Sequence, residues 1–270
     1  IYKVPFRPCN EAHAIQEVIF VLLFSRNFKK QEVSALEAAH DLWRDDLPRF
    51  RKPHMFAVHF GNEPPTQDPI AGCMFDKYKP DGSLAWRLQA NEDSLVVNCL
   101  DYTRWNDVWG SAKRFLDSAT KALEAEGLFI RSVGLQYIDL FLWDGDASDY
   151  DSSELLKADS DFIPASIRNK GPFWHLHQGW FQECDEPLTG RLLERMHLDS
   201  ADDTAKGELF VRCDNTLRID LFTPIDPNEF FDQQDGFSDS VYDFLHEKNK
   251  HVMRNYLNEE TVKNIRLDSK

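Results

Sequence analysis

The chain has 270 residues and a formal charge of −15, from 46 acidic and 31 basic side chains. Hydrophobic residues make up 42% and aromatics 13%, enough for a packed core and unlike a disordered composition. Phosphate backbones and anionic membranes are held by clustered Lys and Arg, so this balance speaks against direct nucleic-acid and membrane partners and suits a basic protein partner.

The five cysteines (Cys9, Cys73, Cys99, Cys184 and Cys213) form no CxxC pair and are odd in number. Four lie in or beside apolar runs, where a reduced thiol packs as a small hydrophobe, which points to a reducing, cytoplasmic setting. No apolar run reaches the ~20 residues of a membrane-spanning helix. The start Ile1-Tyr2-Lys3-Val4-Pro5 lacks signal-peptide character, and Ile1 in place of Met leaves room for preceding residues.

In chain order, residues 14–24 are rich in branched and aromatic side chains and read as a buried strand. Val33, Leu36, Ala39, His40 and Trp43 then recur at helical spacing. Phe56-Ala57-Val58-His59-Phe60-Gly61 reads as a further strand. Residues 84–90 and 94–100 are apolar strands joined through Asn91-Glu92-Asp93, a β-hairpin signal. A stripe of Trp105, Val108, Trp109, Ala112, Phe115, Leu116, Ala119 and Leu123 predicts a helix to about Glu126, with Gly127 at its C-terminal cap.

The second half repeats this order. Residues 134–143 match the first strand, a short helical piece is expected over 153–158, and Trp174–Gly179 matches Phe56–Gly61. Glu208–Cys213, a turn at Asp214-Asn215 and Thr216–Phe222 read as a second hairpin. The second strands of both hairpins share the spelling Ser/Thr, Leu, any, Val/Ile, Asn/Asp, any, Leu/Phe. A helix from Ser238, its expected N-cap, to Tyr256 carries Val241, Phe244, Leu245 and Val252 on one face. Matched segments are offset by about 120 residues.

The pattern predicts an α+β protein made of a duplicated β-α-β4-α unit, residues 1–128 and 129–270. Successive strands with short turns pair antiparallel, and the long helix covers one face of each curved sheet. This element order resembles the TATA-binding-protein-like and helix-grip folds, and the resemblance concerns architecture alone.

Two loops are acidic. Asp144, Asp146, Asp149, Asp151, Glu154, Asp159 and Asp161 face one Lys157 in the 144–161 segment, and Asp226, Glu229, Asp232, Asp235 and Asp239 form a second group. Neither matches a calcium-binding EF-hand loop, so both read as solvated. His175 and His177 lie two apart on a strand and therefore on one face; with His197 on the next strand they are the candidate metal ligands. The local sequence supplies two ligands where a closed zinc site takes four, so the pair is expected to be sheet packing, with no cofactor. No GxSxG, P-loop, GxGxxG or HExxH motif occurs, and the balance leans away from an enzyme.

Finally, Glu11…Glu17-Val18-Ile19-Phe20, Asp101-Tyr102-Thr103-Arg104-Trp105, Gly134-Leu135-Gln136-Tyr137-Ile138-Asp139 and Leu245-His246…Leu257-Asn258-Glu259-Glu260-Thr261 together resemble a sporadically distributed family of uncharacterised bacterial proteins. Where that family tends to Arg-Tyr-Ile-Asn, this chain has Gln136-Tyr137-Ile138-Asp139. The resemblance carries no catalytic residues; the family's patchy distribution implies a defence or toxin–antitoxin setting. The expectation is a non-catalytic binding or regulatory protein, a sensor, immunity or antitoxin component with a protein partner. The alternative is a small-ligand protein or enzyme with a cavity between sheet and helix.

Overall fold

The computed structural model describes residues 5–10, 12–52, 72–123, 125–168, 170–203, 207–232 and 236–267. The strands are β1 (Phe6–Pro8), β2 (Ile15–Phe24), β3 (Arg49–Arg51), β4 (Gly72–Tyr78), β5 (Leu84–Asn91), β6 (Ser94–Cys99), β7 (Ile130–Trp143), β8 (Trp174–Cys184), β9 (Gly190–Asp203) and β10 (Glu208–Ile225). The helices are α1 (Lys30–Ala38), α2 (Trp105–Ala122), α3 (Pro227–Phe230), α4 (Phe237–Tyr256) and α5 (Glu259–Asn264). The fold class is α+β, with a large antiparallel sheet of ten strands. Its residues cluster into two compact units, each discontinuous in sequence: Ile19–Gly134 with Asp220–Ser240, and Ile1–Val18 with Leu135–Ile219 and Val241–Lys270.

In the 19–134 unit the strands run β3-β4-β5-β6-β2. The β5–β6 hairpin closes where Asn91 pairs with Ser94, as the Asn/Asp-rich turn dictates. One sheet face points Ala85, Leu88, Ala90, Leu95, Val97 and Cys99 inward, all buried. Helix α2 lays Val108, Trp109, Ala112, Phe115, Leu116 and Ala119 into the same core, so its helical period and the strand period of two meet in one layer. Phe20 stacks on Trp105 and Trp109 at 5.9 and 5.6 Å. On the opposite sheet face, Asp76 is fully buried and is held by Arg51 and Arg87 from the neighbouring strands.

In the 135–219 unit the order is β8-β9-β10-β7, with β1 on β7. Phe141, Trp143, Met196, Leu198, Val211 and Cys213 pack with Val252, Met253 and Tyr256 of α4. The buried Tyr256 hydroxyl accepts from Asn215 Nδ2 at 3.0 Å, while Asn215 Oδ1 has no hydrogen-bond partner among the described residues.

Three expectations are corrected. The Asp214-Asn215 turn does not exist: β10 runs unbroken from Glu208 to Ile225. Asp214 accepts hydrogen bonds from Gln136 and Arg195, and Asn215 Nδ2 donates to Tyr256 Oη, so tertiary partners hold side chains that would otherwise favour a turn. The β9–β10 connection instead closes at Gly207, whose φ of +66° suits glycine. Between β7 and α3 the described residues therefore hold three strands, not four. Ser238 is not the N-cap of α4: it lies one residue inside the helix, buried, and its Oγ has no hydrogen-bond partner among the described residues. Helix α2 stops at Ala122, and Gly127, at φ +67°, serves the turn before β7 instead of capping the helix. The strand expected over Phe56–Gly61 lies outside the described residues.

Candidate binding surface

Strand alternation divides β8 cleanly. Trp174 is buried and Leu176, Gln178 and Trp180 are half-buried, whereas His175, His177, Gly179 and Phe181 are exposed. The antiparallel register with β9 places His175 opposite Asp199, His177 opposite His197, Gly179 opposite Arg195 and Phe181 opposite Leu193. Phe210, Arg212, Asp214 and Thr216 continue the same face onto β10, since Arg195 donates to Thr216 Oγ1 at 2.7 Å and reaches Asp214 at 3.5 Å. This is the face that helix α4 leaves uncovered.

The three candidate ligands are thus on one face but do not form one centre. His177 and His197 stack, with ring centroids 5.1 Å apart. His197 Nε2 turns to Asp199 Oδ1 at 3.2 Å. His175 lines a separate hollow. Among the described residues no group of three or more His, Cys, Asp or Glu side chains is placed to hold a metal ion.

That hollow has a volume of about 530 Å³ and is lined by Phe173, Trp174, His175, Asp199, Ser200, Ala201, Phe210 and Arg212. Its floor is built by a relay of hydrogen bonds: Trp174 Nε1 donates to Tyr150 Oη at 3.2 Å, the Tyr150 hydroxyl meets Ser200 Oγ at 2.7 Å, and Ser200 Oγ donates to the Pro172 carbonyl at 2.9 Å. Burial raises the Tyr150 phenol above its ordinary pKa, and its two hydrogen bonds only partly oppose that. The relay fixes Ser200 as part of a wall, with its proton directed at a carbonyl. A second hollow of about 400 Å³ is lined by Trp143, Asp144, Gly145, Ala147, Gly207, Glu208 and Leu209. Neither hollow is lined by a residue of α1–α5.

Phe173 is 67% exposed and Phe181 59% exposed. Phe173, just before β8 and sharing the hollow with Arg212, and Phe181 on the strand itself, on the same face as Arg195, make an amphipathic surface of the type that anchors at interfaces. Arg212 approaches Asp214 only to 3.9 Å, while the Asp214 carboxylate is already taken by Gln136 Nε2 at 2.7 Å. The hollow can therefore receive a side chain with an apolar body against Phe173 and Phe210 and a polar tip at Arg212, His175 or Asp199.

The histidine pair was legible from spacing. The arginines and Phe210 were not, because residues 208–222 read as a hairpin, which breaks the alternation that carries Phe210, Arg212 and Asp214 to one face. The 144–161 loop is largely exposed, as its composition implies: Asp144, Asp146, Asp149, Asp159 and Asp161 all face solvent. No helix among the described residues is long and apolar enough to cross a membrane. No protein-family model matches the chain, and no curated protein matches its sequence.

Proposed function

We propose that this chain is a non-catalytic binding protein that docks a protein partner on the open β8-β9-β10 face. The carrying observation is the exposure of Phe173 at the 530 Å³ hollow, with Phe181 exposed further along β8. A partner side chain with an apolar body fills the hollow as an anchor, while the arginine and histidine groups around it set orientation. The exposed 144–161 carboxylates favour a partner with basic residues outside that anchor. The duplicated, TATA-binding-protein-like architecture is supported by strand order alone: β4-β5-β6-β2 in one half and β8-β9-β10-β7 in the other each run through three successive strands and end on the strand that comes first in the sequence. The defence or toxin–antitoxin setting rests on the family resemblance. The alternative, a ligand cavity between sheet and helix, gains no support from the lining of either hollow.

A photo-crosslinking residue at position 173, introduced into the protein in its native host, tests the proposal. A discrete protein adduct, lost when Arg212→Glu is added, is the expected result. Crosslinks only to nucleic acid, or a protein adduct indifferent to Arg212→Glu, would overturn it.

A further inference from the structure

Strand β8 ends the strand order of the sheet on the 135–219 side. It is 11 residues long and pairs with β9 in an unbroken register from Trp174↔Ser200 to Cys184↔Gly190. Among the described residues, its other edge makes no backbone hydrogen bond. Natural edge strands are protected from pairing by Pro, Lys, bulges, shortness or a covering loop. The sequence WHLHQGWFQEC has no Pro and no Lys, its register shows no bulge, and its one charged carboxylate is Glu183. A regular strand of this length presents a row of free N–H and C=O groups to any strand that can align with it.

We infer that the occupant is a second copy of this chain, joined antiparallel through β8 about a two-fold axis at Gly179. The geometry selects that axis. Gly179 is the midpoint of the strand, so this register alone gives every residue from Trp174 to Cys184 a partner. A two-fold axis brings one residue against its own copy, and glycine is the residue that meets itself without a steric or charge conflict. The remaining pairs are complementary. His175 faces Glu183 of the second copy, and the reverse, so the one carboxylate of the strand is used twice. His177 faces Phe181, joining a ring pair on the open face. Gln178 faces Trp180, and Leu176 faces Gln182. Opposite-charge and aromatic pairs directly across an antiparallel ladder are the stabilising kind, and like charges there are destabilising. Centring the axis one residue further along would set Trp180 against Trp180 and leave Trp174 and His175 unpaired.

This inference concerns the edge of β8; because His175 also lines the hollow, the dimer is read by sedimentation alone and not by partner capture. Sedimentation equilibrium of the purified chain, from micromolar to sub-millimolar concentration, measures it directly. Wild type is expected to dimerise. His175→Glu places Glu opposite Glu183 twice and weakens the dimer by about tenfold or more. His175→Glu with Glu183→Lys restores an opposite-charge pair and recovers the dimer. Phe181→Lys, an edge lysine, also favours the monomer. All three positions are exposed, so folding is checked by unchanged circular dichroism. A monomer at every concentration would overturn the inference, as would a dimer insensitive to His175→Glu or one that the charge swap fails to recover. Phe173→Asp serves as the internal control: it is expected to abolish partner capture and leave the dimer intact.

Discussion

The Tyr137 hydroxyl on β7 lies 2.7 Å from His246 Nδ1 on α4, tying strand to helix inside the 135–219 unit. Burial, with a smaller contribution from Lys250, depresses the His246 pKa to about 4 from its ordinary 6.5. The folded state therefore holds a neutral imidazole that the unfolded chain protonates more readily. The contribution of His246 to stability is fully present above pH 6.5, falls as pH drops, and is lost below about 4. The shift corresponds to roughly 3 kcal/mol. His246→Gln is expected to flatten the acid side of a denaturation-midpoint-versus-pH curve, and Tyr137→Phe to destabilise by about 1 kcal/mol at pH 7.

Asp139 has the opposite sign. It is 1% exposed, its Oδ2 has no hydrogen-bond partner among the described residues, and burial raises its pKa to about 7. Burial and the nearby Asp139 carboxyl together push the Cys9 thiol up to about 11. Because the folded state binds the Asp139 proton more tightly, the Asp139 contribution to stability falls as pH rises from about 4 to about 7 and stays unfavourable above that. Asp139→Asn is expected to raise stability at pH 8 by on the order of 2–4 kcal/mol and to do little at pH 4. Urea titrations at the two pH values check this; equal effects at both would show that the carboxyl is not the source.

Asp76 tests the other unit. Burial alone would raise its pKa, but hydrogen bonds from Arg87 and Arg51 outweigh it and hold the carboxylate below its ordinary value. This contribution is present above the unfolded pKa of about 3.8 and is lost as pH falls through the lower folded value. Arg87→Ala strips one partner from a fully buried charge and is expected to cost about 3 kcal/mol at pH 7, with Arg51 left as the remaining cation.

The legible part of the fold was whatever short-range pattern controls. The α2 stripe and the β5–β6 turn are local, and both appear where periodicity and turn chemistry put them. Strand β10 was misread because Asp214 and Asn215 carry local turn propensity, while their actual partners, Gln136, Arg195 and Tyr256, are distant in sequence. Ser238 looked like a cap for the same reason: N-cap preference is local, and its burial is decided by tertiary packing. At the surface, the two histidines were visible by spacing, but the hollow is assembled from Phe173, Asp199 and Arg212 on three separate stretches, which only the register brings together.

Gly72 offers a steric test. A β-carbon there would lie far inside van der Waals contact with the Ala90 carbonyl oxygen on the neighbouring strand. Gly72→Ala must spread β4 from β5, and the expected cost is about 2 kcal/mol, read as a lower thermal midpoint. The same substitution at Gly110, where added bulk meets nothing nearby, is expected to stabilise α2 slightly.

The interleaving of the two units in sequence has a consequence for how the protein is made. Residues 220–240 complete the unit begun at Ile19, and residues 241–267 complete the one begun before it. A ribosome that has released the first 134 residues has exposed most of one core without the segment that finishes it. Neither unit can then mature as a continuous amino-terminal domain ordinarily does, because each needs a segment that follows residue 219. Until residues 220–240 emerge, α2 and its sheet lack the segment that completes their unit.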